Sequence, residues 1–121
     1  MPHKILVVDD SPTERFFLAD LLAKKGYTVI TAENGSEAIA KSKTERPSLI
    51  LMDVVMPGQS GYQATRALAR DPDTQAIPVV ICTSKSNETD RIWGLRQGAR
   101  DYLVKPIRPD ELLSKIADLV V

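Results

Sequence analysis

The chain has 121 residues, enough for one domain with a real hydrophobic core, and residues 1–121 are expected to form a single unit. Apolar residues make up 43%, charged residues 26%, and the formal net charge is zero, which speaks against a basic nucleic-acid surface and against a disordered acidic tail. The single cysteine, Cys82, excludes an intrachain disulfide and any multi-cysteine metal site.

Met1 leads directly into a short apolar run, with no signal-peptide pattern and no stretch long enough for a bilayer. A cytoplasmic location without membrane insertion is the expectation.

Apolar runs and amphipathic segments then alternate. KILVV (4–8) is short and rich in β-branched residues, which predicts a buried strand. TERFFLADLLAKKG (13–26) has helical period, with Pro12 just before it and Gly26 as its stop. YTVIT (27–31) is the second strand. SEAIAKSKTERP (36–47) is a helix capped by Ser36 and closed by Pro47. SLILMD (48–53) is the third strand and GYQATRALARD (61–71) the helix after it. IPVVICT (77–83) is the fourth strand, followed by NETDRIWGLRQG (87–98), a helix with Asn87 as its cap. DYLVK (101–105) is the fifth strand and PDELLSKIADLVV (109–121) the last helix. Five such units on continuously apolar strands imply a parallel sheet covered by helices on both faces.

Ligands of such sheets bind beyond the carboxyl ends of the strands. Here strand one ends in Asp9 and Asp10, strand three in Asp53, strand four in Thr83 and Ser84, and strand five in Lys105 and Pro106. If these ends meet, one rim gathers carboxylates, hydroxyls and an ammonium. Packed carboxylates repel, and a proton or a cation must relieve them. Hard oxygen ligands that leave room for water suit Mg²⁺. A carboxylate can also attack phosphorus and form an acyl phosphate. Asp53, held by an apolar strand, is the candidate nucleophile. Lys105 and the metal would screen the transferring oxygens, and Thr83 could hydrogen-bond one of them. Gly58 and Gly61 would let the following loop turn tightly and expose its N–H groups. Each piece has a simpler reading by itself: a helix N-terminal charge pair, a loop, a strand-end hydroxyl, a turn cap. Four strand ends that all supply what phosphoryl transfer needs make the stronger case.

The stretches ILVVDDSP, LILMDVVMPGQSGYQ, VVICTS and GARDYLVKP resemble the receiver domain of two-component response regulators, of the stand-alone chemotaxis type, over essentially the whole chain. The resemblance implies a flavodoxin-like α/β fold, a doubly wound five-stranded parallel sheet of order 2-1-3-4-5 with five helices. It makes Asp53 the phosphoacceptor and places Mg²⁺ at Asp9, Asp10 and Asp53. Asp10 would be a direct ligand, and the backbone carbonyl of Val55 another. Lys105 would pair with the phosphoryl group, Thr83 would switch onto it, and Tyr102, three residues before Lys105, matches the aromatic switch. Lys105–Pro106 would be a cis peptide. A histidine kinase would be the donor, docking against the first helix. Output would pass by protein contact through the face of helix four, strand five and helix five, from a monomer or weak dimer. The segments DDSPTE, QATR and IWGLRQGARDYL, with no output domain present, look more like regulators of pilus-driven twitching or phototaxis. A phosphate sink and an unphosphorylated pseudo-receiver scaffold are the alternatives.

Two positions depart from the family pattern. Val55, two after Asp53, is apolar where chemotaxis regulators often carry a polar residue that helps water attack the acyl phosphate. Ser84 replaces the usual small Ala or Gly. Val55 also argues against an aspartate-nucleophile phosphatase, which needs an acid there. Asp9 and Asp10 argue against a flavin carrier, because they would repel its phosphate.

Leu18, Leu21 and Leu22 share the expected core face of the first helix, and Phe16 points largely away as an edge aromatic or a kinase contact. Trp93, the only tryptophan, is expected at a rim or partner site beside Arg91 and Arg96. His3 reads as a solvated terminal residue, and the lack of other histidines makes the chain a phosphoryl acceptor rather than a donor. Cys82 should be a small buried hydrophobe.

Overall fold

The computed structural model describes residues 3–56 and 58–120. Strands β1 (Lys4–Val8), β2 (Thr28–Ala32), β3 (Leu49–Met52), β4 (Val79–Thr83) and β5 (Asp101–Val104) alternate with helices α1 (Pro12–Lys24), α2 (Gly35–Glu45), α3 (Gly61–Arg70), α4 (Glu88–Arg96) and α5 (Pro109–Leu119). All pairings are parallel, and the sheet order is β2-β1-β3-β4-β5, the flavodoxin-like arrangement expected. The order reverses between β1 and β3, so their carboxyl ends flank the crevice where ligands bind.

Side chains alternate along each strand and feed two cores. Ile5, Val7, Leu49, Leu51, Val80 and Leu103 pack on one face against Leu18 and Leu22 of α1 and Leu112 and Ile116 of α5. Leu6, Val8, Ile50, Met52 and Val79 pack on the other against Ala38, Ala64 and Leu68. Leu21 is half-buried at the edge of the first core. Each fully buried leucine contributes about 1.5–3 kcal/mol. Double coverage of the sheet is why its central strands read as unbroken apolar runs.

Several boundaries differ from expectation for local reasons. Pro12 is the first residue of α1, and Ser11 caps it by accepting from the Glu14 N–H. Asn34, not Ser36, caps α2; its Oδ1 accepts from the Glu37 N–H at 2.9 Å. Ser36 lies inside the first turn, because Asn34 reaches the third helical N–H from two residues further back. α2 stops at Glu45, since Arg46 takes a left-handed conformation (φ 46°) ahead of Pro47. Asn87 does precede α4, but its side chain makes no cap hydrogen bond. Ser60 and Gln63 form a reciprocal capping box at α3. Val120 ends α5; Val121, the last residue of the expected helix, lies outside the described residues, as does Pro57 in the loop after β3. Among the described residues, no helix is long and apolar enough to cross a membrane.

Candidate functional site

The ends of β1, β3 and β5 bring the expected acids and the lysine together. Asp9, Asp10 and Asp53 each offer a carboxylate oxygen within 4.8 Å of the others. The Lys105 Nζ lies 2.8 Å from Asp9 Oδ2, 3.8 Å from Asp53 Oδ2 and 4.0 Å from Glu14 Oε2. The register explains the meeting. Val8 pairs with Met52, so Asp9 and Asp53 leave adjacent strands at the same level. The Lys105 N–H donates to the Thr83 carbonyl, which holds the lysine at the end of β5.

The three acids differ in their surroundings. Asp9 is buried, and both its oxygens are engaged: Oδ1 accepts from the Ser11 N–H and Oδ2 from Lys105. Asp53 is 8% exposed, and its Oδ1 accepts from the Val54 N–H at 2.8 Å. Asp10 is exposed, and among the described residues its carboxylate has no hydrogen bond or ion pair. Asp10 and Asp53 Oδ2 are therefore the oxygens freest to receive a cation. An oxygen-only, net negative set of this kind fits a hard divalent ion.

Burial pushes the Asp53 carboxyl above the ordinary carboxylate range. The Lys105 charge opposes that shift, Asp9 adds to it, and the N–H groups of Val54 and Val55 oppose it. Burial works against the Lys105 ammonium, but its bond to Asp9 and the charges of Asp53 and Asp9 more than offset it and raise its pKa. Cys82 is buried near these charges, and burial pushes its thiol up to about 12, which makes it unreactive.

Gly61 has a different part from the one its sequence position gave it. It is the first residue of α3, and a Cβ there would fall on the Asp53 carbonyl oxygen and 2.7 Å from the Val54 Cα. Glycine lets α3 seat directly on the backbone that carries Asp53. Gly58, at φ 76°, takes a left-handed conformation that glycine adopts without strain.

Thr83 is fully buried at the end of β4, and its hydroxyl accepts from the Lys85 N–H. Ser84 is exposed beside it. Val55 follows Asp53 in the loop with its side chain 56% exposed. Tyr102 is buried; its hydroxyl donates to the Lys85 carbonyl at 2.9 Å and lies 3.3 Å from the Tyr62 hydroxyl. Burial, reinforced by Tyr62, raises the Tyr102 phenol. Lys105–Pro106 is cis, as the resemblance implied. Phe16 and Trp93 are exposed, at 75% and 49%. His3 is half-buried rather than fully solvated, its Nδ1 3.1 Å from the Ser48 hydroxyl.

Three neighbours were not singled out from the sequence. Arg15 donates to the Asp9 carbonyl at 2.7 Å, Glu14 stands behind Lys105, and Tyr62 touches Tyr102. Arg15 and Glu14 sit in the first turn of the helix that follows Asp9-Asp10, a position that could have flagged them.

The model of the response regulator receiver domain matches residues 5–117. The chain belongs to that family. This receiver domain is 54% identical over 113 residues to Protein PilH of Pseudomonas aeruginosa, covering 93% of each. It covers about half of several longer relatives, 47% of one. Among solved structures, it is similar to the Vibrio cholerae chemotaxis protein CheY4, with TM-score 0.92, 32% identity and coverage of 98% and 99%. It also resembles the receiver domain of the sensor histidine kinase PA1611 of Pseudomonas aeruginosa, with TM-score 0.91, 29% identity and coverage of 99% and 98%. That protein carries a magnesium ion coordinated in its active-site cleft.

Proposed function

We propose that this receiver domain is a cytoplasmic phosphorylation switch, taking a phosphoryl group from a histidine kinase onto Asp53 and signalling by protein contact in pilus-driven motility. The observation that carries the reading is the buried Asp53 carboxylate, with Lys105 3.8 Å away and Asp9 and Asp10 within 4.8 Å. The motility assignment is supported by DDSPTE, QATR and IWGLRQGARDYL and by the 54% identity to Protein PilH.

An Asp53 oxygen attacks the phosphorus of phosphohistidine in line. The P–N bond breaks, and its electron pair stays on the imidazole nitrogen, which takes up a proton. Asp10, Asp53 and the Val55 carbonyl would hold Mg²⁺, with Asp9 beside them. When bound, that ion supplies charge screening for the three carboxylates and the phosphoryl oxygens. Lys105 is placed to bond one phosphoryl oxygen. Thr83 would turn its hydroxyl from the Lys85 N–H toward another. That same Lys85 segment receives the Tyr102 hydroxyl, so a shift of Thr83 reaches Tyr102 through one shared loop. The populations of the α4–β5–α5 face then change.

The test is transfer of radiolabel from an autophosphorylated histidine kinase. Wild type should gain a hydroxylamine-labile label in the presence of Mg²⁺, and Asp53→Asn should gain none. A label retained by Asp53→Asn would overturn the assignment.

A further inference from the structure

The groove between α3 and α4 gathers positive charge that phosphoryl transfer at the acidic rim does not use. Arg66 and Arg70 stand four residues apart on α3 and so share one face, and Trp93 and Arg96 stand three apart on α4 and share another. Both pairs line one open groove of about 390 Å³. An adjoining depression of about 480 Å³ extends it past Tyr62 and Gln97. No carboxylate lines either part. One wall is tight, since a Cβ at Gly98 would stand 2.7 Å from the Ala69 Cβ, so the turn after α4 lies close against α3.

Charge in this groove is left uncompensated. Among the described residues, Arg66, Arg70 and Arg96 form no ion pair; Lys25, Lys85, Arg46 and Arg100 form none either, but the three groove arginines converge on one depression. The whole chain is neutral, so three unpaired guanidiniums around a half-exposed tryptophan are a local excess. Arginine and tryptophan are also the residue types most enriched where binding energy concentrates. The guanidinium fork matches a carboxylate in two hydrogen bonds, and the indole face takes an apolar side chain or a methylene stem.

We propose that the α3–α4 groove docks an acidic segment of a protein partner, with carboxylates on Arg66, Arg70 and Arg96 and an apolar side chain on Trp93. Charge complementarity chooses the acidic occupant. The shape chooses a peptide: the groove is open along α3 from Tyr62 to Arg70, about 12 Å of helix, whereas small-molecule sites enclose most of their ligand's surface. No residue of α5 and none of the acids or Lys105 of the rim lines this surface, but it shares α4 with the face that phosphorylation would change. It also shares one side chain with the buried tyrosine. Tyr62 lines the groove, and its hydroxyl lies 3.3 Å from that of Tyr102.

Trp93 is the only tryptophan and reports the groove directly. The experiment titrates the full chain, ¹⁵N-labelled, with a 12-residue peptide of Glu, Asp and Leu, and follows Trp93 emission and amide shifts. A Gln/Asn/Leu analogue and guanosine monophosphate serve as the other arms. The acidic peptide should give a saturable emission change and shifts confined to α3 and α4, weakening as salt rises. An Arg66→Ala/Arg96→Ala variant, changed only at exposed positions, should keep the wild-type melting temperature and bind about tenfold more weakly. Equal binding of the neutral analogue, shifts centred elsewhere, no response, or unchanged affinity in the double variant would each overturn the proposal. A response to guanosine monophosphate alone would replace it with a small-anion site.

Discussion

The acidic rim and the α3–α4 groove hold opposite charges in opposite ways. In the rim, Asp9 and Asp53 are buried, and one ammonium lies within 4 Å of both. In the groove, three guanidiniums stand in water with no partner among the described residues. Buried charges interact through low dielectric and are fixed by backbone, so small displacements matter. Exposed charges are screened and mobile, and they await a ligand to order them. On the two proposals, the rim would do chemistry on a small group and the groove would meet a surface.

The contrast is sharpened most by removing the rim's cation. Lys105→Met leaves Asp9 and Asp53 without their ammonium, and phosphoryl uptake from acetyl phosphate should slow on the order of 10²-fold. Rates within a factor of two of wild type would mean that the ammonium is not aimed at the transferring group. Next comes placement. Gly61→Ala should lower unfolding stability by about 2–3 kcal/mol in urea, because α3 must lift off the Asp53 backbone. Gly58→Ala, with open space around it, should cost about 1 kcal/mol from its positive φ alone. Equal losses at the two glycines would show that close packing behind Asp53 is unimportant.

A smaller effect is expected at Val55. Val55→Asn places an amide beside the acyl phosphate, where it can orient water, and the phosphorylated form should decay several-fold faster by intact mass. Stability should stay within about 0.5 kcal/mol, since the side chain is 56% exposed. An unchanged or slower decay would contradict the role given to this position.

The smallest effect belongs to the ion pair of Asp101 with Lys115, 2.8 Å apart and away from both sites. Burial pushes Asp101 up, but the Lys115 bond and the Tyr102 N–H outweigh it and leave its pKa lowered. A carboxyl depressed on folding stabilises above its unfolded pKa, and that gain is lost as pH falls through its folded value. Asp101→Asn should therefore cost under about 1 kcal/mol at neutral pH. The gap between variant and wild type should close below the ordinary carboxylate range. A gap that persists in acid would assign the loss to packing rather than charge.

The two regions were not equally legible in the sequence. The rim was readable because strand ends are marked by where apolar runs stop, and a parallel sheet brings those ends to one edge. Asp9, Asp10, Asp53 and Lys105 could be placed together from that rule alone. The groove depends on how α3 and α4 rotate and approach, which no spacing along the chain encodes. Trp93 and Arg96 were visible as neighbours on one helix, but Arg66 and Arg70 entered only with the fold. Tyr62 was hidden for the same reason, being 40 residues from the tyrosine it touches. Asn34 displaced Ser36 as a cap because both residue types suit the role, and only backbone geometry decides between them.

The most direct measurement is intact mass after incubation with acetyl phosphate, with and without Mg²⁺, for wild type and Asp53→Asn. The account predicts a gain of one phosphoryl group in wild type that requires Mg²⁺ and is absent from Asp53→Asn. A gain independent of Mg²⁺, or one that survives the loss of Asp53, would contradict it.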